Sequence, residues 1–314
     1  MDIQYLLWLQ GIRESAGKGV ENFFALLSDS IFFIIAASIM IFLLLDKKKG
    51  AFVLFAYSIG STLNAIVKVT ACVYRPWIRD PRIVPAGKAL GLATGYSFPS
   101  GHTSAVSSCV FGMANQFKGN RVLAALLSAY LLLVAFSRNF LGCHTPQDVL
   151  VALLEGLAAM FAAKFLLAFV QKNKDNDTIV FAAAALLAAF FAAFILLKPY
   201  PIDKDSAGNI LVSPQKMQND AFFDLAFALG FVHAWFLERR FVKFSTDNLN
   251  AKKRVLRLAV CLALVFFVMF ALYPAAKNAF DKRLAKFIGG YLRSFVCVYL
   301  APLIFTKIEK ALKW

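Results

Sequence analysis

The feature that most constrains this chain is a set of apolar runs, each about 17–22 residues long and nearly free of charge, the length that crosses a hydrocarbon bilayer as a helix. No backbone group can go unpaired in lipid, so such runs leave helical spans or a closed barrel. The runs lack the short alternation of barrel strands, which leaves an all-α, polytopic helical bundle. Nine spans are expected, at about 30–46, 51–72, 99–117, 121–138, 146–170, 178–197, 220–237, 256–274 and 285–306. Residues 1–29 are too polar to span. Tyr5 and Trp8 suit a helix lying in the membrane interface, and Arg13, Glu14 and Lys18 exclude a cleaved leader there. Residues 30–170 then form a catalytic membrane core and residues 171–314 a set of additional membrane helices.

The formal net charge of +16 would suit nucleic acid if it lay on one patch. It is instead divided among short loops, as at Lys47-Lys48-Lys49, Glu238-Arg239-Arg240 and Lys307 to Lys313, which is how membrane proteins fix orientation. Nucleic-acid binding is therefore set aside. These loops predict an extracytoplasmic N-terminus and a cytoplasmic C-terminus, in a plasma or inner membrane. The five cysteines have no metal-ligand spacing. Most read as small buried apolar residues, although Cys72 and Cys143 fall at one membrane face where a disulfide is an option.

Three polar blocks interrupt the apolar background, and the predicted topology brings all of them to the extracytoplasmic face. They are Lys68 with Arg75-Pro76; Pro99-Ser100-Gly101-His102; and Ser137-Arg138 with His144 and Asp148. Ionisable groups in such surroundings are functional candidates by default. Lys68, Arg75 and Arg138 together suit a tetrahedral oxyanion such as phosphate. Pro99-Ser100-Gly101 reads as a helix start, whose free N–H groups favour an anion, with Gly101 allowing close approach. His144 and Asp148 are spaced to share one helix face, so the carboxylate can fix the imidazole tautomer and leave the other nitrogen as nucleophile. His102 is then the general acid. A metal site is the alternative for two histidines and an aspartate, and the three cations argue against it by repelling a divalent ion.

Taken together, Lys68-x6-Arg75-Pro76, Pro99-Ser100-Gly101-His102 and Ser137-Arg138-x5-His144-x3-Asp148 resemble the three-part signature of the type-2 phosphatidic acid phosphatase superfamily. The resemblance covers about residues 51–160. It implies a metal-independent, cofactor-free phosphatase with chemistry of the acid phosphatase and vanadium haloperoxidase kind. His144 would form a phosphohistidine, Asp148 would assist it and His102 would protonate the leaving group. Lys68, Arg75, Ser100, Gly101, His102 and Arg138 would line the phosphate site. The layout departs from the six-span bacterial lipid phosphatases, with one span before the lysine helix and four after the last motif. In that it is similar to the glucose-6-phosphatase branch.

The expected activity is hydrolysis of a lipid phosphate or diphosphate, with phospholipid or isoprenyl phosphate as substrate and membrane lipids as surroundings. A soluble sugar-phosphate phosphatase and a phosphotransferase are the alternatives within the family. A transporter or phosphate-lipid-binding scaffold is the alternative of another class, disfavoured by the lack of an internal repeat. Among weaker features, Glu155 is expected to pair with a polar neighbour, with tuning of His102 or a proton relay as its alternative, His233 to be structural, and Asp224 to pair with Arg293. Trp77 and Tyr96 are expected to anchor at the interface.

Overall fold

The computed structural model describes residues 1–87 and 89–314, and for Leu92 the backbone alone. The described residues are helical, with one isolated bridge, Lys204 to Ile210, in place of strands. The long helices are α1 (Asp2–Leu45), α2 (Lys47–Ala71), α3 (Gly101–Gln116), α4 (Arg121–Phe140), α5 (Pro146–Lys172), α6 (Asn176–Leu197), α7 (Pro214–Val242), α8 (Ala251–Ala279) and α9 (Lys282–Ala311). Among the described residues eight are long and apolar enough to cross a membrane, one fewer than the nine expected. The exception is α3, whose 16 residues reach about 24 Å, short of a hydrocarbon core of about 30 Å. Every residue from Thr103 to Val110 is buried, because α3 packs among α2, α4 and α5.

Residues 2–29, expected as a separate interfacial segment, lead helically into the first span. The helix is interrupted at Gly17, whose φ of 81° and ψ of 173° suit glycine alone. The first part of α1 is held to the rest by Arg13. Its guanidinium is buried and donates to Phe140 O at 2.8 Å and Val84 O at 2.5 Å.

Local sequence starts the helices where the site needs them. Asp46, Ser100, Asn120, Thr145, Ser213, Asn250 and Asp281 each cap the helix that follows with a side-chain acceptor. Each such cap contributes about 1 kcal/mol. Small residues then set the packing. In the core, a Cβ at Gly60 would collide with Ser108, and one at Gly156 with Ser107, so α2 and α5 press against α3 at van der Waals range. In the C-terminal part, α7 and α9 form the most extensive helix pair, with Gly290 against Phe223 O and Gly230 against Tyr291 O.

The cysteines read as expected, mostly small and buried, and one expected pair, Asp224 with Arg293, fails. All five cysteines are free, so Cys72 and Cys143 are not bridged. Cys72 Sγ instead faces Val69 O at 3.0 Å and Lys198 Nζ at 3.2 Å. Asp224 and Arg293 are not an ion pair among the described residues. Asp224 is turned towards α2 and accepts from Ser61 Oγ at 3.0 Å, while the Arg293 guanidinium lies over the rings of Phe223 and Tyr273.

Candidate active site

The three polar blocks converge at one end of the α2–α3–α5 core. Lys68 stands in the last turn of α2 and donates to Ser97 O at 3.2 Å, Tyr96 O at 3.4 Å and Pro99 O. It thereby ties α2 to the segment that leads into α3. Arg75 lies in the loop after α2, immediately before Pro76. Its buried guanidinium donates to Gly95 O at 3.0 Å, Cys143 O at 2.9 Å and His144 Nε2 at 2.9 Å. Arg138, in the last turn of α4, is buried and donates to Ser28 Oγ of α1, and its Nε has no partner. Its carbonyl accepts the N–H groups of Cys143 (3.0 Å) and His144 (3.1 Å), which shapes the turn that presents the imidazole.

Ser100 is the N-cap of α3, as the Pro-Ser-Gly sequence predicts. Its Oγ accepts from Thr103 N at 3.4 Å and Thr103 Oγ1 at 3.0 Å. Gly101 and His102 open the helix. His102 lies in the field of Arg138, Arg75 and Lys68. The N–H of Ser100 donates to Asp148 O at 3.0 Å, so the starts of α3 and α5 are joined directly.

His144 and Asp148 meet by a route other than the expected shared helix face. The cap of α5 is Thr145 and Pro146 is its first residue, so His144 lies outside the helix. Thr145 and Asp148 form a reciprocal capping box. Thr145 Oγ1 accepts from Asp148 N at 3.4 Å, and Asp148 Oδ2 accepts from Thr145 N at 2.9 Å. The same Oδ2 lies 3.2 Å from His144 Nδ1 and takes Ser97 Oγ–H at 2.5 Å.

These contacts fix the tautomer. A guanidinium only donates, so Nε2 of His144 receives from Arg75 and carries the lone pair. The ring proton is then on Nδ1, facing Asp148. Burial first, and then Arg75 and Arg138, hold the imidazole well below its ordinary pKa, so the ring is neutral at neutral pH. The peptide is steadied on its other side by Asn139 Nδ2, which donates to His144 O at 2.8 Å.

All eight candidate residues thus gather around two helix starts. Sequence reasoning missed Ser97, Asn139, Thr145, Ser28 and Arg13. Thr145-Pro146-Gln147-Asp148 carries the T-x-x-D capping pattern and was legible. Ser28 and Arg13 carry no local pattern, since their partners are over 70 residues away. Glu155 pairs as expected with a polar neighbour, accepting from Asn64 Nδ2 at 2.8 Å. His233 bonds Tyr291 Oη at 2.5 Å and stacks on Phe181, a packing role. Trp77 is half-buried with the Arg75 guanidinium 5.8 Å from its ring. Tyr96 is fully buried and anchors nothing at an interface, because its ring packs in an apolar cluster with Val69, Ile195, Met217 and Leu225.

Two family models match the chain. One, described as PAP2 superfamily, covers residues 49–174 and contains every candidate residue. The other, described as PAP2 superfamily phosphatase, transmembrane extension, covers residues 224–313. No curated protein and no solved structure matches.

Proposed function

The chain belongs to the PAP2 superfamily, and from that premise we propose that this membrane phosphatase hydrolyses a lipid phosphate or diphosphate through a phosphohistidine on His144. The observation that carries the reading is the placement of His144. Its Nδ1–H faces Asp148, and its Nε2 lone pair is aimed at the guanidinium of Arg75. A phosphoryl group bound by Arg75 sits in front of that lone pair.

Lys68, Arg75 and Arg138 neutralise the phosphate oxygens, and the N–H of Gly101, which opens α3, adds a helix-terminus donor. Arg75 hands its hydrogen bond from Nε2 to a phosphate oxygen. Nε2 then attacks phosphorus, and the ester P–O bond breaks in line. His102 gives its proton to the departing oxygen. Asp148 stabilises the positive charge that develops on the ring. A water then attacks the phosphohistidine and gives its proton to His102. The P–N bond breaks, and inorganic phosphate leaves with both histidines restored. No step calls for a metal, and the three cations supply the charge that a divalent ion would otherwise bring.

The site lies at the ends of apolar helices, which favours a lipid arriving laterally over a soluble substrate. The basic residues at 47–49 and 239–243 support a cytoplasmic position for the opposite end and an extracytoplasmic one for the site. On this reading residues 30–170 are the catalytic core, and residues 171–314 are helices added to it.

The test is phosphate release by purified protein in detergent with a chelator present. Phosphatidic acid, phosphatidylglycerophosphate, an isoprenyl diphosphate and glucose 6-phosphate are compared, beside His144→Ala. Release from a lipid that the variant lacks is expected. Release by His144→Ala at the wild-type rate overturns the mechanism, and release from glucose 6-phosphate alone moves the substrate to the soluble class.

A further inference from the structure

Beneath the phosphate site lies a buried polar pair that the reaction above does not use. Glu155, on α5, is 5% exposed, and its Oε1 has no partner. Its Oε2 accepts from Asn64 Nδ2. Asn64 is 5% exposed and stands one turn before Lys68 on the same face of α2. A carboxylate can only accept, so the amide turns its NH2 to Glu155 and its oxygen the other way. That oxygen, Oδ1, lies 3.5 Å from where a Cβ on Gly101 would be. The amide is therefore a bridge between a buried acid and the helix start that receives the anion.

Charged and titratable groups surround the pair. Lys68 comes from α2, His102 from α3 and Asp148 from the same helix as Glu155. Asp224 of α7 reaches in through Ser61. The cations Lys68, Arg75 and Arg138 are matched by the carboxylates Asp148, Glu155 and Asp224. A phosphate dianion adds negative charge to this set. It also meets an amide oxygen where a donor would serve it.

We propose that Asn64 is a further contact of the phosphate site and that Glu155 is its positioning residue, taking up a proton when a dianion binds. Protonated Glu155 gives its O–H to Asn64 Oδ1. The amide turns over, and its NH2 faces the anion at Gly101. The proton sits on Oε2, the oxygen that faces Asn64, so an O–H to Oδ1 bond replaces the present Nδ2–H to Oε2 bond. The inference rests on the phosphate-site reading above but not on which substrate is hydrolysed.

Sulfate is the probe, because its own charge is fixed near neutral pH. Calorimetric titration of the detergent-purified protein, in buffers of different ionisation heat, counts the protons taken up per sulfate bound. Glu155→Gln is expected to bind sulfate with about one proton fewer than the wild type. An unchanged proton count overturns the relay alone. Sulfate that does not bind the wild type overturns the anion site and the relay together. A second readout uses the wild type only, so it stands even where the variant does not fold. Infrared difference spectra with and without sulfate should show a protonated-carboxyl band appearing on binding. Its absence overturns the proposal.

Discussion

Replacing Ser97 by alanine tests the steering of the nucleophile without touching any residue of the three motifs. Ser97 Oγ–H donates to Asp148 Oδ2 at 2.5 Å, and that oxygen also serves Thr145 N and His144 Nδ1. A hydrogen bond to a charged acceptor is worth about 1.5–3 kcal/mol. If that whole amount is felt as the ring becomes positive, kcat falls by roughly 10–150-fold. The backbone at Ser97 is held independently, its N–H on Val73 O at 2.7 Å and its carbonyl under Lys68. Alanine removes one buried hydroxyl and leaves the chain path intact, so the protein should still fold, with stability lowered by no more than that one bond is worth. The assay is single-turnover phosphate release by Ser97→Ala, Asp148→Asn and the double variant. Ser97 acts through Asp148, so the two losses should overlap instead of adding. A kcat within about twofold of wild type, or fully additive losses, refutes the reasoning.

Two further outcomes follow from the geometry. Burial and the neighbouring cations depress the His144 pKa, so the ring of the proposed nucleophile stays unprotonated as pH falls through the ordinary histidine range. The acid limb of kcat/KM should therefore lie below about 6.5, and an acid limb at or above that value contradicts it. In the extension, Gly290→Ala places a methyl against Phe223 O, a backbone atom that cannot turn aside. It should lower stability by about 1–3 kcal/mol, measured as a lower thermal midpoint in detergent, and an unchanged midpoint would show that α7 and α9 separate freely.

The helical class was legible because lipid permits so few backbone arrangements, and run length marked eight of the nine expected spans correctly, with α3 the exception. The site was legible because ionisable residues stand out in apolar sequence. What escaped was set by partners distant in the chain. Arg13 looks like an interfacial charge, yet it is buried against carbonyls of the loop before α3 and the end of α4. Asp224 and Arg293 stand at similar depth, but depth does not fix azimuth, and Asp224 faces α2 instead. His144 and Asp148 have the spacing of a helix face, yet they meet across a capping box, because Pro146 makes Thr145 the point where the helix begins.

That capping box ties two kinds of history together. Asp148 accepts the Thr145 N–H that opens α5, and the same oxygen faces the imidazole. Its carbonyl also receives the N–H of Ser100, at the start of α3. On the proposed mechanism, chemistry and folding would therefore both depend on this one residue. A lineage that abandoned catalysis would still be held near aspartate or asparagine here by the architecture. Retention of an acid at this position in a descendant is thus weaker testimony to the proposed activity than retention of the histidine, whose side chain caps no helix.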